Sequence, residues 1–128
     1  MPAKKIISTT TAPPAVGPYS QAVRAGNLLF LSGQLPLYPQ TGAIVGEDIE
    51  TQTRQVINNI RAVLAACALT IDNVVKTTVF LKDLQHFQKM NGVYKEFFNQ
   101  DAPARSTFQV VNLPMNALVE IESIAIFE

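Results

Sequence analysis

The sequence predicts an α+β domain in which two helices cover one face of a mixed sheet of about six strands. Two segments repeat apolar residues at three- and four-residue spacing, which is typical of amphipathic helices. Six shorter segments suit strands, and Val74–Leu81 in particular is rich in β-branched residues, which favour this structure. The chain has 128 residues, 48% of them hydrophobic, so residues 1–128 suffice for one core and leave no room for a second domain.

The predicted elements follow the order βββαβαββ. Strands are predicted over residues 4–8, 22–25, 28–35, 74–81, 105–111 and 118–127, and helices over residues 49–68 and 84–98. Gly26 and Asn27 suit the tight turn of a hairpin between the second and third strands, because both residues tolerate positive φ. Asp48 can cap the first helix, and the stretch around Pro103 ends the second.

Two helices of this length can cover only one face of such a sheet. Leu28–Leu31 and Val79–Leu81 nevertheless lack the alternation of apolar and polar residues seen in half-solvated strands, so both of their faces are expected to be out of water. A second copy of the chain is the simplest cover for the free face. The sequence therefore predicts a homo-oligomer.

Composition narrows the classes of function. Ten Lys and Arg residues balance ten Asp and Glu residues without forming a basic stripe, so a nucleic-acid partner is not expected. The single cysteine, Cys67, leaves no internal disulfide and no cysteine-based zinc site, and no apolar run is long enough to span a membrane. A cytoplasmic location is therefore the default. The single histidine, His86, leaves no catalytic triad and no His-rich metal site, so no metal is expected.

Arg105 is the first candidate for chemistry. It opens an otherwise apolar strand directly after Ala-Pro-Ala, where a long charged side chain must reach solvent or meet an anion. Its guanidinium fork matches a carboxylate through two parallel hydrogen bonds. The alternatives are a structural salt bridge and an arginine that extends to solvent at the end of its strand.

Glu120 and Glu122 form the second candidate. They lie two residues apart on one face of the last strand, and they share that face with Ile124 and Ile126. Such neighbours suggest a mostly buried face, on which a carboxylate can serve as a proton carrier. An ordinary solvated face is the alternative.

Two further segments are candidate pocket walls. Gly17–Gln21 places the Tyr19 phenol on a rigid turn, and Ser32 and Gly33 interrupt an apolar strand with small residues. A glycine inside a strand is typical either of close backbone approach to a ligand or of a β-bulge.

Five motifs carry a resemblance to a known family. They are Gly17–Ala22 (GPYSQA), Leu31–Gln34 (LSGQ), Val75–Asp83 (VKTTVFLKD), Pro103–Thr107 (PARST) and Val119–Glu122 (VEIE). In order and spacing over essentially the whole length, the chain resembles the RidA family of reactive intermediate (imine) deaminases, also called YjgF-like proteins. The resemblance implies a chorismate-mutase-like α+β fold and a homotrimer with ligand clefts between subunits.

The resemblance also implies roles for individual residues. Arg105 would bind the substrate carboxylate, and Glu120 would direct the attacking water. The remaining substrate-binding positions would be Tyr19, Ser32, Gly33, Asn91 and Thr107. Several members carry Cys where this chain has Thr107, so a thiol-dependent role is not expected there, whereas a role for the backbone carbonyl or a small polar side chain remains.

The implied activity is hydrolysis of enamine and imine intermediates, namely 2-iminobutanoate and 2-iminopropanoate, to 2-oxo acids and ammonia without a cofactor. One alternative is a non-catalytic module that binds 2-oxo acids or amino acids, or that regulates a partner enzyme. Another is an endoribonuclease, a name given to some relatives. The balanced charge and the lack of a histidine pair argue against it.

Strand order decides how Arg105 and Glu120 could meet. If the last two strands pair as a hairpin, Glu120 lies opposite about Gln109, well away from Arg105. If the order is ferredoxin-like, the last strand lies inside the sheet and the Arg105 strand lies at its edge. Both arrangements separate the two side chains within one chain, so we expect them to meet across a subunit interface.

Overall fold

Residues 3–128 are described by the structure, a computed structural model, and their six strands and two helices follow the predicted order. The strands are β1 (Lys4–Ile7), β2 (Ala22–Ala25), β3 (Leu28–Gln34), β4 (Val74–Leu81), β5 (Ala104–Gln109) and β6 (Val119–Ile126). The helices are α1 (Ile49–Ala65) and α2 (Phe87–Phe97). The predicted α+β class is confirmed, and the first two residues of the predicted domain lie outside the described part of the chain.

The strands form one sheet in the order β1-β2-β3-β6-β4-β5. β6 runs antiparallel to both of its neighbours, β3 and β4, whereas β5 pairs with β4 in parallel. A parallel pair needs a crossover connection, and α2 supplies it. The last strand therefore lies inside the sheet and β5 lies at its edge, which is the second of the two arrangements considered above.

The core lies between the two helices and one face of the sheet. Alternate residues of the central strands are buried on this face, among them Leu31 of β3 and Ile121 of β6, and they belong to one apolar cluster with Ile57 of α1. α1 begins where the Asp48 carboxylate accepts a hydrogen bond of 2.9 Å from the Thr51 backbone N–H, as an N-cap does.

The opposite face of the sheet, which we call the open face, meets neither helix. It carries Phe30, which is 42% exposed, and Ile126, which is 36% exposed. Glu122 on the same face is exposed, and Ile124 is half-buried. The expectation of a mostly buried face around the two glutamates is therefore wrong for the single chain, because only the other side of β6 packs against a helix.

Both helices are shorter than the sequence predicts. α1 ends at Ala65 rather than Ala68, because the chain turns sharply and Ala68 adopts a left-handed conformation with φ of 58°. The predicted first turn of the second helix is a separate 3₁₀ turn, Leu84–His86, which Asp83 caps before α2 begins. Within residues 3–128 neither helix is both long and apolar enough to cross a membrane.

Candidate functional site

A cleft of about 660 Å³ opens on the side of the sheet where β3 ends and β6 begins. The segment before β2 contributes Pro13 and Tyr19, β3 contributes Ser32 and Gly33, and β6 contributes Glu120. The cleft thus brings together five of the residues that the sequence singles out, namely Tyr19, Ser32, Gly33, Glu120 and Glu122.

Buried hydrogen bonds hold the wall of the cleft in place. The Gln21 side chain, only 4% exposed, accepts a hydrogen bond from the Thr9 N–H at 2.7 Å and donates to the Pro13 carbonyl, also at 2.7 Å. The Ser32 hydroxyl donates to the Ser20 carbonyl at 2.6 Å. Ser32 therefore uses its proton to fix the loop, and its oxygen keeps acceptor capacity toward the cleft.

Glu120 lies directly against the backbone of Gly33. A methyl group built at position 33 would stand 2.1 Å from Oε2 of Glu120, far inside contact distance. The pairing of β3 with β6 is also irregular between Leu31 and Gln34. The structure thus supports the β-bulge explanation for a glycine in this strand, and it adds a close approach by the Glu120 side chain that the sequence did not predict.

The environment of Glu120 favours its protonated form. Burial raises the pKa of the Glu120 carboxyl above its ordinary value of 4.5, and the negative charge of nearby Glu122 raises this pKa further. A carboxyl group tuned in this direction exchanges protons closer to neutral pH than an exposed glutamate does. The structure thus places a candidate acid–base group in the cleft.

The side chain of Arg105, a residue of β5, lies outside this cleft and packs against α2. Its Nη1 donates a hydrogen bond of 2.7 Å to Oδ1 of Asn91, and its guanidinium carbon lies 4.8 Å from the ring centre of Tyr94 and 5.5 Å from that of Phe87. No carboxylate of residues 3–128 lies within salt-bridge distance of it. The alternative of an internal salt bridge is therefore wrong, and most of the guanidinium's donors remain available for a ligand.

The two halves of the expected site lie on opposite faces of the sheet. Arg105 pairs with Thr77, which faces the helices, whereas Glu120 pairs with Phe80 on the open face. Thr107 shares the helix side with Arg105, and its buried hydroxyl has no hydrogen-bond partner in residues 3–128. One chain therefore does not bring Arg105, Asn91 and Thr107 into the cleft of Glu120.

Sequence reasoning missed the aromatic contacts of Arg105. The apolar repeat that predicts the second helix includes Phe87 and Tyr94, but it assigns neither of them a contact with Arg105. Phe87, Asn91 and Tyr94 follow the i, i+4, i+7 spacing of one helix face, and that spacing was the available signal.

Cys67 lies outside both groups of residues. Burial raises the pKa of the Cys67 thiol, so the structure gives no sign of an activated nucleophile at that residue.

Comparison with known proteins gives one matching family model and several relatives that align with most of this chain. The family model described as endoribonuclease L-PSP matches residues 9–127. A RutC family protein of Pyrococcus horikoshii is 52% identical over 122 residues, covering 95% of this chain and 97% of the relative. The chloroplastic Reactive Intermediate Deaminase A of Arabidopsis thaliana is 51% identical, over 95% of this chain and 65% of the relative. The 2-iminobutanoate/2-iminopropanoate deaminase of Salmonella typhimurium is 46% identical, over 95% of this chain and 97% of the relative.

Solved structures agree with these relatives. A Rid family protein of Yersinia pestis is 49% identical and superposes with a TM-score of 0.94, covering 97% of this chain and 99% of that protein. The TdcF protein of E. coli, solved with bound serine, is 43% identical with a TM-score of 0.92 over 97% and 99% of the two chains. The five motifs, the fold and these matches together show that the chain belongs to the RidA family, also known as the YjgF or endoribonuclease L-PSP family.

Proposed function

We propose that this protein hydrolyses 2-imino acids, with 2-iminobutanoate and 2-iminopropanoate as substrates, to 2-oxo acids and ammonia. The observation that carries the proposal is the position of Glu120, a half-buried carboxyl with a raised pKa held against Gly33 in a cleft. One relative at 46% identity is named a 2-iminobutanoate/2-iminopropanoate deaminase, and another at 51% identity is named a reactive intermediate deaminase, which supports this chemistry here.

Arg105 would anchor the substrate by its carboxylate. Its guanidinium has one hydrogen bond to a neutral amide and no acidic partner within residues 3–128, so a carboxylate can occupy the remaining fork. Holding the substrate at this end would position its C=N carbon for attack.

Glu120 would handle the protons of hydrolysis. The carboxylate accepts a proton from water as the water oxygen bonds to the iminium carbon, which gives a carbinolamine. The resulting carboxylic acid returns that proton to nitrogen, and the C–N bond breaks with its electron pair leaving on ammonia. As the C=O bond forms, the remaining hydroxyl passes its proton to the Glu120 carboxylate, which gives it to the departing ammonia. One water is consumed, one 2-oxo acid and one ammonium ion are released, Glu120 returns to its carboxylate form, and nothing is oxidised or reduced.

A complete site requires two copies of the chain. Arg105 and Glu120 lie on opposite faces of one sheet, and the open face exposes Phe30 and Ile126. A neighbour that covers this face would hide these apolar side chains and could bring its own Arg105 to the Glu120 cleft. We propose a homotrimer, as in the family resemblance, with each site between two subunits.

The activity is tested by generating 2-iminobutanoate in the cuvette and following release of 2-oxobutanoate and ammonia. Wild-type protein should accelerate hydrolysis above the buffer rate, and Arg105→Ala and Glu120→Ala should each lose most of that acceleration. Arg54→Ala is the matched control, because Arg54 pairs with Glu96 on the surface of the helices, away from both halves of the site. Wild-type protein that matches buffer would exclude this substrate.

The shared site is tested by mixing two inactive variants. Arg105→Ala and Glu120→Ala proteins are combined and allowed to exchange subunits. In a closed ring, random mixing gives both intact residues at about one quarter of the sites, so about a quarter of wild-type activity should return. If both residues acted within one chain, every chain in the mixture would carry a defect and the mixture would stay inactive.

A non-catalytic role as a sensor of small amino or oxo acids is the second candidate, favoured by the serine bound to the TdcF relative. Binding that depends on Arg105, without turnover and without dependence on Glu120, would support it. An endoribonuclease activity, suggested by the family model's description, would instead require RNA binding that weakens steeply with salt.

A further inference from the structure

Three residues of α2 surround the Arg105 side chain on the helix side of β5. Phe87, Asn91 and Tyr94 lie one and two turns apart on one helix face, and each contacts the guanidinium. We call this set the arginine cradle. It consists of two ring faces and one amide oxygen, so it stabilises the positive charge of the Arg105 guanidinium without using a carboxylate.

The same helix holds a second arginine in a different way. Glu96 of α2 lies 3.0 Å from Arg54, in an ion pair where both side chains are about half exposed. That carboxylate occupies two of the Arg54 nitrogens. A comparable carboxylate beside Arg105 would neutralise it and compete with any anionic ligand for the same fork. The cradle avoids this competition.

The geometry points to Tyr94 as a positioning residue that, with Phe87 and Asn91, aims the uncompensated Arg105 guanidinium at the carboxylate of a 2-oxo or 2-imino acid. This inference rests on the proposed function, since it assigns Arg105 the carboxylate of the same ligand. It adds a specificity role for the ring of Tyr94, which acts only through Arg105.

The Tyr94 ring is itself held firmly. The side chain is 6% exposed, and its hydroxyl lies 2.7 Å from the buried Thr77 hydroxyl on β4. Burial raises the pKa of the Tyr94 phenol, so the ring stays neutral and adds no competing charge. Burial between α2 and the sheet thus holds the ring face in place beside the guanidinium.

The test measures affinity for two ligands by calorimetric titration. The ligands are 2-oxobutanoate and 2-oxobutanamide, which differ in the carboxylate alone. Tyr94→Leu removes the ring face and should weaken 2-oxobutanoate binding about tenfold, the scale expected for a partly desolvated cation–π contact, while leaving 2-oxobutanamide within about twofold. A merely less stable protein would lose sites for both ligands equally.

Two further variants separate the ring from its hydroxyl and from general effects on the helix. Tyr94→Phe combined with Thr77→Val keeps the ring and removes both partners of the buried hydrogen bond, so wild-type selectivity should be retained. Phe97→Leu is the matched control. Its ring also lies on α2 near arginines, at 5.8 Å from Arg54 and from Arg61, outside the site.

The outcomes distinguish this inference from the proposed function. Tyr94→Leu with wild-type selectivity between the two ligands would overturn the cradle and leave the deaminase proposal standing. Selective loss of 2-oxobutanoate binding in a protein without deaminase activity would support the cradle and overturn the proposed reaction. A wild-type protein that binds neither ligand, or binds both equally, would overturn the cradle, because Arg105 would then recognise no carboxylate.

Discussion

Replacement of Gly33 by alanine should separate activity from folding. The new methyl group would stand 2.1 Å from Oε2 and 2.9 Å from the carboxyl carbon of Glu120, so the carboxyl group must retreat by at least about 1 Å to reach ordinary contact. The backbone itself accepts the change, because Gly33 does not adopt positive φ. The clash falls on the far end of a flexible side chain, and alanine restricts the unfolded chain, so stability should change by less than about 1 kcal/mol.

The catalytic cost should be much larger. A displacement of about 1 Å in a reacting group can slow an enzyme about 100-fold, which corresponds to about 2.7 kcal/mol of transition-state stabilisation. Steady-state kcat/KM on 2-iminobutanoate and urea denaturation of the same preparation measure the two effects. Gly92→Ala is the matched control, because Gly92 lies exposed on α2 with nothing within 4 Å of the added methyl group. Wild-type kcat/KM in Gly33→Ala would refute the placement of Glu120 at the reacting atoms.

Three further predictions follow from the same groups. Because the pKa of Glu120 is raised in the folded protein, the folded protein binds more protons than the unfolded chain just above pH 4.5, and the free energy of unfolding falls as pH rises through that window. Glu120→Gln should therefore be more stable to urea than wild type at pH 7, and equally stable at pH 4. Glu122→Gln removes a charge that raises the pKa of Glu120, so the acidic limb of the pH dependence of kcat/KM should move to lower pH, and an unmoved limb would argue against Glu120 as its source. Gln21→Leu leaves the Thr9 N–H and the Pro13 carbonyl without their hydrogen-bond partner, so the free energy of unfolding in urea should fall by about 3 kcal/mol. An unchanged free energy of unfolding would contradict this prediction and indicate that water replaces the amide.

The fold was accessible from the sequence because local pattern and tertiary structure agree along most of the chain. The apolar repeat between Ile49 and Leu64 and the β-branched run from Val74 identify their elements directly. The end of α1 was not accessible, because Ala66, Cys67 and Ala68 all tolerate a helix, and the turn there depends on where the chain must go next.

The candidate site was only partly accessible. Motifs identified Arg105 and Glu120, and either strand order kept them apart, yet nothing local reveals which face of the sheet each occupies. That depends on the pairing of Arg105 with Thr77 and of Glu120 with Phe80, which is a property of the whole sheet. The aromatic contact of Tyr94 was hidden for a similar reason, since a buried tyrosine on an apolar helix face looks like ordinary core until its neighbour is known.

The position of β6 has a consequence for how the chain folds. β6 comes last of the sheet's strands in sequence but joins the β1-β2-β3 unit to the β4-β5 unit in space. During synthesis, the edges of β3 and β4 stay unpaired until β6 has left the ribosome, and such edges invite pairing with other chains. A chain that stops before β6 would contain two separate half-sheets, each with an unpaired strand edge. Synthesis interrupted there should therefore yield an aggregation-prone fragment. Since β6 also carries Glu120, a chain acquires its candidate acid–base group in the same step that closes its sheet.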